Sequence, residues 1–270
     1  MKHFKEIDFC LLIPCYNNFN GLIVSLKSVI YPTENYLVIV LDDGSKDTVT
    51  LERINKEMDL KKPIVVLQNE KNLGITATLN RGLSWIEENT DARYIARLDC
   101  GDICREERFV AQVGYMDTHP ETGLVGSWCQ FEDKQTLDKY SYKTPTQHDD
   151  IIRAMHFRNV FIHPTVMFRT SLLKEAGYYP VVFEYAEDYA FFWKLIKKRR
   201  AFIFNKYLVI CEINKSGLSY NNKGKQLFSR GKVIKTFGSN LVLKIAAYAR
   251  LILLFILPKG VALQLKKWKG

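Results

Sequence analysis

The chain has 270 residues, 47% of them hydrophobic and 25% charged, which is enough to bury a sizeable core and excludes a collagen-like, low-complexity or disordered polypeptide. Its formal net charge of +10 is unevenly placed: beyond Glu212 there are twelve basic residues and no acidic one, so the rest of the chain is close to neutral. A polycationic end calls for a polyanionic surface, either lipid headgroups or nucleic acid.

The first residues, Met1 to Asp8, carry acids and run straight into an apolar segment, which argues against a cleaved leader. Apolar runs at about 7–13, 36–42, 63–68 and 93–99 predict strands, and segments of helical period at about 20–30, 47–59 and 74–89 lie between them. In the third helix Ile75, Leu79, Leu83 and Ile86 share one face, and Asn89 with Thr90 supplies a stop. Alternation of this kind predicts an α/β fold with a right-handed, mostly parallel sheet covered on both sides. Further along, a helix is expected at about 104–117, a strand near 123–131, a polar loop over 132–145, a helix at about 146–157 and a strand at Thr165–Arg169. A strong helix over Glu187–Arg200 buries Phe191, Phe192, Leu195 and Ile196 and ends in basic residues that complement its dipole, and Ala201–Ile213 reads as a last strand. Cysteines 10, 15, 100, 104, 129 and 211 form no CxxC pair and read as buried or half-buried thiols of a reducing cytosol; Cys100 and Cys104 lack the clustered partners of a metal site.

The division expected is a domain over 1–212 and a basic, hydrophobic extension over 213–270. From Asn240 the extension is apolar, Leu241 to Leu257 interrupted by Lys244 and Arg250 and closed by Pro258. A spanning helix needs about 20 apolar residues, and a cation at mid-bilayer costs about 3 kcal/mol. Lying in the membrane interface, with Trp268 among lysines as an anchor, is the better expectation; packing on the domain is the alternative.

Four short clusters carry the chemistry: Ile13-Pro14-Cys15-Tyr16-Asn17, Leu41-Asp42-Asp43-Gly44-Ser45, Arg97-Leu98-Asp99-Cys100-Gly101-Asp102 and Glu187-Asp188. The first three follow strand-like runs, which places them at the carboxyl ends of strands, where open α/β sheets bind ligands. With Asn72-Leu73-Gly74-Ile75, Leu79-Asn80-Arg81-Gly82-Leu83 and His163-Pro164-Thr165 in the right order, the series resembles glycosyltransferase family 2, with the GT-A fold, a Rossmann-like sheet flanked by helices. The match runs from about Phe9 to Arg200.

The resemblance implies an inverting transferase that uses a nucleotide-sugar donor. Asp43 is then the base contact, with Asp42 beside it, although Asp-Gly-Ser is also ordinary turn chemistry. Pro14, Tyr16 and Asn17 form the loop beneath the nucleotide. Arg81 is a candidate for the donor phosphates or for a surface ion pair. In the family a carboxylate commonly stands where this chain has Gly101 and helps to hold Mn²⁺ or Mg²⁺ on the diphosphate; here Asp99 and Asp102 are left to share the metal. Alternatively Arg97, Arg81 or His163 supplies the positive charge. His163 is either a donor or acceptor contact or a structural residue. Asp188 is implied as the base that deprotonates the acceptor, with Glu187 orienting it, at a helix start that carboxylates also favour for structural reasons. Trp128 and the aromatic stretch 178–185 are candidates for an acceptor platform, with core packing an equal explanation for Trp128.

The expectation is a cytoplasmic enzyme, peripheral on the inner face of the cell membrane. It would move a sugar from a UDP- or dTDP-sugar, rather than a GDP-sugar, to a glycan or lipid-linked oligosaccharide in surface polysaccharide assembly. Its partners would include an anionic membrane surface and no nucleic acid. The alternative, suggested by Gly101, is a non-catalytic nucleotide-sugar-binding or accessory protein.

Overall fold

The computed structural model describes residues 4–58, 63–133, 136–213 and 223–256. Trp268, the lysines beyond 256 and the first part of the extension, 214–222, lie outside the described residues. The amino-terminal half follows the expected alternation: β1 (Phe9–Cys15), α1 (Phe19–Ser28), β2 (Tyr36–Asp42), α2 (Leu51–Glu57), β3 (Ile64–Gln68), α3 (Ile75–Asn89) and β4 (Tyr94–Arg97). The four strands pair in parallel in the order β3-β2-β1-β4. β2 is buried at every position, as a strand covered on both faces requires.

The second half is less regular: β5 (Ile103–Cys104), α4 (Arg108–Thr118), β6 (Thr122–Glu132), β7 (Lys139–Tyr142), α5 (His148–Met155), a 3₁₀ turn (His163–Thr165), β8 (Met167–Arg169), α6 (Leu172–Ala176), α7 (Glu187–Ile196) and β9 (Arg200–Glu212). β8 is antiparallel to β4 and to β6, β9 lies parallel to β6, and β5 closes the edge antiparallel to β9. Most paired residues of the sheet are in parallel ladders. The polar stretch expected to be loop contains β7, which adds to β6 through Phe131–Tyr140 and Cys129–Tyr142. Polar residues are tolerated there because β7 pairs with one strand only. The second helix starts at Leu51 rather than 47, because the Thr50 hydroxyl caps it and Asp42 holds Val49 in the preceding turn.

Alternate residues of the strands feed two cores. Phe9, Leu11, Ile13, Val38 and Val40 pack with α1, α2 and α4, while Cys10, Leu12, Ile39 and Leu41 pack with α3, α5 and α7. The described part of the extension joins the second core. α8 (Lys223–Phe237) and α9 (Leu241–Ile256) contribute Leu227, Val233, Ile234, Ala247 and Leu251 to it. The turn between them is held by His156, whose Nε2 accepts from the backbone N–H groups of Ser239 and Asn240 at 3.2 and 3.4 Å. The outer face of α9 leaves Leu241, Val242, Ile245, Ile252, Phe255 and Ile256 exposed. Among the described residues no helix is long and apolar enough to cross a membrane.

Candidate active site

The register of β1, β2 and β3 brings Cys15, Asp42 and Gln68 side by side at their carboxyl ends. Asp42 is buried and organises the turn after β2: Oδ1 accepts from Ser45 N–H at 3.1 Å and Oδ2 from Val49 N–H at 2.9 Å. Asp43 binds the next loop. Its Oδ1 accepts from Asn69 Nδ2, Leu73 N–H and Thr78 Oγ1 at 2.7–2.9 Å, and its Oδ2 accepts from Gly74 N–H at 3.0 Å. Four donors thus fix one carboxylate, and Asp43 sets the entry to α3, where Gly74 stands at φ +83°. Arg81 continues this network: its guanidinium donates to the Asn69 side chain at 2.6 Å and to the Gln68 carbonyl.

The loop after β1 is open to solvent. Tyr16 is half exposed, Pro14 is partly buried, and Asn17 takes a left-handed φ of +52°. Asn17 is locked to the second loop, its N–H donating to Ser45 Oγ and its Oδ1 accepting from Lys46 N–H, both at 2.9 Å. A cleft of about 470 Å³ beside these loops is lined by Asn17, Asn18, Ser45, Lys46, Asp47 and Arg53.

The loop after β4 is built around Ser25 of α1, which the sequence reading missed. Its hydroxyl lies within 3.2 Å of the carbonyls of Asp99 and Asp102 and accepts from Gly101 N–H at 2.9 Å. Arg97 is wholly buried; it pairs with Asp99 at 2.6 Å, donates to the Leu12 carbonyl and leans its Nε on His163 at 3.3 Å. Arg97 therefore reaches a ligand only through Asp99, whose side chain is 45% exposed. His163 Nε2 also meets the Tyr179 hydroxyl at 2.8 Å. Burial first, and the Arg97 charge second, hold the imidazole well below its ordinary pKa, so it is neutral.

Asp102 is turned inward. Its Oδ1 accepts from Glu212 N–H at 2.8 Å, and burial, then Asp99, push its carboxyl well above the usual range. The carboxylate that stands at the Asp99 loop in its place is that of Glu212, brought there because β5 pairs with β9. A Cβ on Gly101 would lie 2.6 Å from Glu212 Oε2, and Gly101 has φ +105°. The position where the family commonly carries an acid thus has a backbone conformation that strains any side chain, and a carboxylate oxygen from elsewhere stands beside it. Only an acid at the end of the last strand hinted at this. Among the described residues no group of three His, Cys, Asp or Glu is arranged to hold a metal ion. Divalent ions on nucleotides are, however, commonly held by one or two carboxylates plus substrate phosphates. Asp99 and Glu212 offer that oxygen set; Cys100 and Cys104 bond to the Asn18 carbonyl and Arg108 instead.

Glu187 and Asp188 open α7. Asp188 Oδ1 accepts from Tyr189 N–H at 2.6 Å and Oδ2 from Asn159 Nδ2 at 2.9 Å. Burial pushes both carboxyls up, Glu187 to about 7 with Asp188 as the second cause, and the charge of Asp99 adds to both. The clusters at 97–99, 163, 179 and 187–188, far apart in sequence, thus share one electrostatic environment. Trp128 packs against the core and donates its indole N–H to the Thr144 carbonyl. In the 178–185 stretch Tyr179 is buried, while Tyr185, at φ +63°, lies under Lys225.

A mixed sheet carrying carboxylates at the ends of β2, β4 and α7 is the architecture of GT-A transferases. The mannosyltransferase PcManGT from Pyrobaculum calidifontis, solved in complex with GDP-Man and Mn²⁺, superposes with a TM-score of 0.65 at 15% identity, over 90% of this chain and 69% of that one. Residues 10–177 match the family described as Glycosyl transferase family 2, and the chain belongs to that family. It is 33% identical to the amylovoran biosynthesis glycosyltransferase AmsE of Erwinia amylovora, over 67% of this chain and 66% of that protein. It is 29% identical to the UDP-Gal:alpha-D-GlcNAc-diphosphoundecaprenol beta-1,3-galactosyltransferase of Escherichia coli, over 62% of this chain and 58% of that protein. The matches therefore span somewhat less than two thirds of these relatives.

Proposed function

We propose that this protein is an inverting glycosyltransferase that moves one sugar from a UDP- or dTDP-sugar to a lipid-linked glycan in surface polysaccharide assembly. The observation that carries the reading is Asp188: a carboxylate with raised pKa, held by Asn159 and the Tyr189 N–H, in the same environment as the Asp99 loop. A binding protein has no use for such a base. In the reaction Asp188 takes the proton of an acceptor hydroxyl and that oxygen attacks C1 of the donor sugar. The bond from C1 to the diphosphate oxygen breaks, and the nucleoside diphosphate leaves with the electron pair. A single displacement inverts the anomeric centre. Glu187 supports the acceptor, and the loops of Pro14, Tyr16, Asn17, Asp42 and Asp43 hold the nucleotide. A divalent ion, when bound, neutralises charge on the leaving diphosphate. Asp99 and Glu212 would hold it, with Asp102 fixing the strand that presents Glu212.

The names of the relatives support a polysaccharide pathway and, for one of them, a diphosphoundecaprenol acceptor. The extension over 213–270 is proposed to hold the protein peripherally on the cytoplasmic face of the membrane, since α9 exposes an apolar face on a strongly basic segment. The test is release of nucleoside diphosphate by the detergent-solubilised chain from UDP-, dTDP- and GDP-sugars, each with Mn²⁺, Mg²⁺ or EDTA, and with membrane lipid extract as acceptor source. Turnover of a UDP- or dTDP-sugar is expected. Nucleotide binding with no turnover under any condition would convert the assignment to a non-catalytic binder.

A further inference from the structure

Three arginines gather beside the proposed base. Arg158 directly precedes Asn159, the residue that holds Asp188, and its guanidinium donates to the Tyr142 hydroxyl at 2.5 Å while lying over that ring at 5.2 Å. Arg230 on α8 shares a helix face with buried Leu227 and Ile234, and Arg250 on α9 shares one with buried Ala247 and with Leu254, which packs on the core. Both therefore lie on the packed side of their helices rather than the solvent side. The Tyr248 hydroxyl, donating to the Gly231 carbonyl at 2.9 Å, pins the two helices together next to these positions. The field of Arg230 reaches Asp188 and Tyr189, and that of Arg250 reaches Tyr189. Burial first, then Arg158 and Arg230, hold Arg250 below its ordinary pKa. Among the described residues none of the three forms an ion pair with a carboxylate.

Like charges collected at partly buried positions oppose folding unless an anion joins them. Asp188 is one negative charge and its two oxygens already accept from Asn159 and Tyr189, so it leaves the cluster strongly cationic. Guanidinium forks match phosphate oxygens. The donor's own diphosphate belongs at the Asp99 loop, whereas this cluster adjoins the base, where the acceptor must lie. Immediately beyond it α9 presents its exposed apolar face.

We propose that Arg158, Arg230 and Arg250 bind the diphosphate of an isoprenoid-diphosphate-linked acceptor, so that its sugar hydroxyl meets Asp188 while the isoprenoid chain runs along α9. This rests on the transferase reading above and names the acceptor's anionic group. Farnesyl diphosphate serves as the probe, with farnesol as the uncharged control, titrated calorimetrically into the full chain in detergent; UDP is titrated separately. Wild type is expected to bind farnesyl diphosphate at least tenfold more tightly than farnesol. Arg230→Gln/Arg250→Gln is expected to lose at least tenfold of that affinity, to bind UDP unchanged, and to melt at the same or a higher temperature than wild type. Failure of wild type to prefer the diphosphate, or equal probe affinity in the double variant, overturns the site while leaving the UDP result to judge the transferase reading. A vesicle arm separates the phosphate sources. If the double variant loses binding to phosphatidylglycerol vesicles yet keeps farnesyl diphosphate, the cluster is a headgroup site and the proposal falls. Arg158→Lys, which keeps charge but not the fork, is expected to weaken the probe without altering UDP binding.

Discussion

Asp188→Asn removes the proposed base with the smallest change of shape. The amide nitrogen must replace one carboxylate oxygen, and both oxygens now face donors, the Tyr189 N–H and the Asn159 amide. Asn159 cannot turn its carbonyl to help, because that oxygen accepts from the Phe161 N–H at 3.1 Å. One donor is left facing a donor, at a cost of about 1–3 kcal/mol. That cost is offset in part because a buried charge has been removed. The fold should therefore survive with a small change in melting temperature. Catalysis should not: losing a positioned base lowers the rate by about 10²–10⁴-fold, about 3–5 kcal/mol of barrier. Nucleotide affinity should stay within about twofold, because the loops at Asp42 and Asp43 share no hydrogen bond with Asp188. The assay is release of nucleoside diphosphate in the presence of acceptor, with UDP affinity and thermal melting measured on the same preparation. A folded variant that binds UDP and turns over within threefold of wild type would refute the assignment of the base.

Four further outcomes are expected. Turnover should rise with pH along a limb displaced above the ordinary carboxylate range, because burial raises the Asp188 carboxyl and only the ionised base accepts a proton. Stability should fall as pH rises from 4.5 to about 7: over that interval the unfolded chain has given up the Glu187 proton while the folded chain keeps it, so the stability present below 4.5 is lost by about 7. The loss is at most about 3 kcal/mol, and Glu187→Gln should flatten the melting-temperature profile. Glu212→Gln should weaken nucleotide-dependent Mn²⁺ binding, read by electron paramagnetic resonance, about tenfold; Gly101→Asp alone should not strengthen it, because φ +105° and Glu212 Oε2 oppose a side chain there. Unchanged Mn²⁺ affinity in Glu212→Gln would remove that residue from the metal's ligands. Asp43→Asn should lower stability by about 1–3 kcal/mol in urea unfolding, since its carboxylate gathers four donors, and a neutral result would mean that the loop at 69–74 is held by other groups.

The parallel half of the sheet and the helices that cover it were legible in the sequence because their signals are local: β-type runs, helical periods and the turn residues after them. The same locality explains why Asp42, Asp99 and Asp188 could be singled out, since each follows or opens a recognisable element. Boundaries shifted where side chains from a distance intervened, as Asp42 does in holding Val49 outside α2, and β7 is hard to read because its alternation, Tyr140 and Tyr142 between Lys139, Ser141 and Lys143, is too short to stand out from the polar stretch around it. The sequence by itself determined the fold class, the strand-end carboxylates and the basic apolar end. Only the tertiary structure decided which charges face one another. Asp102 turned inward and Glu212 arrived at Gly101 because β5 pairs with β9 across more than a hundred residues. Arg230 and Arg250 came to lie beside Asp188 because α8 and α9 pack on the core. Coulombic and hydrogen-bond partnerships depend on distance in space, and sheet order and helix packing set that distance where chain separation does not.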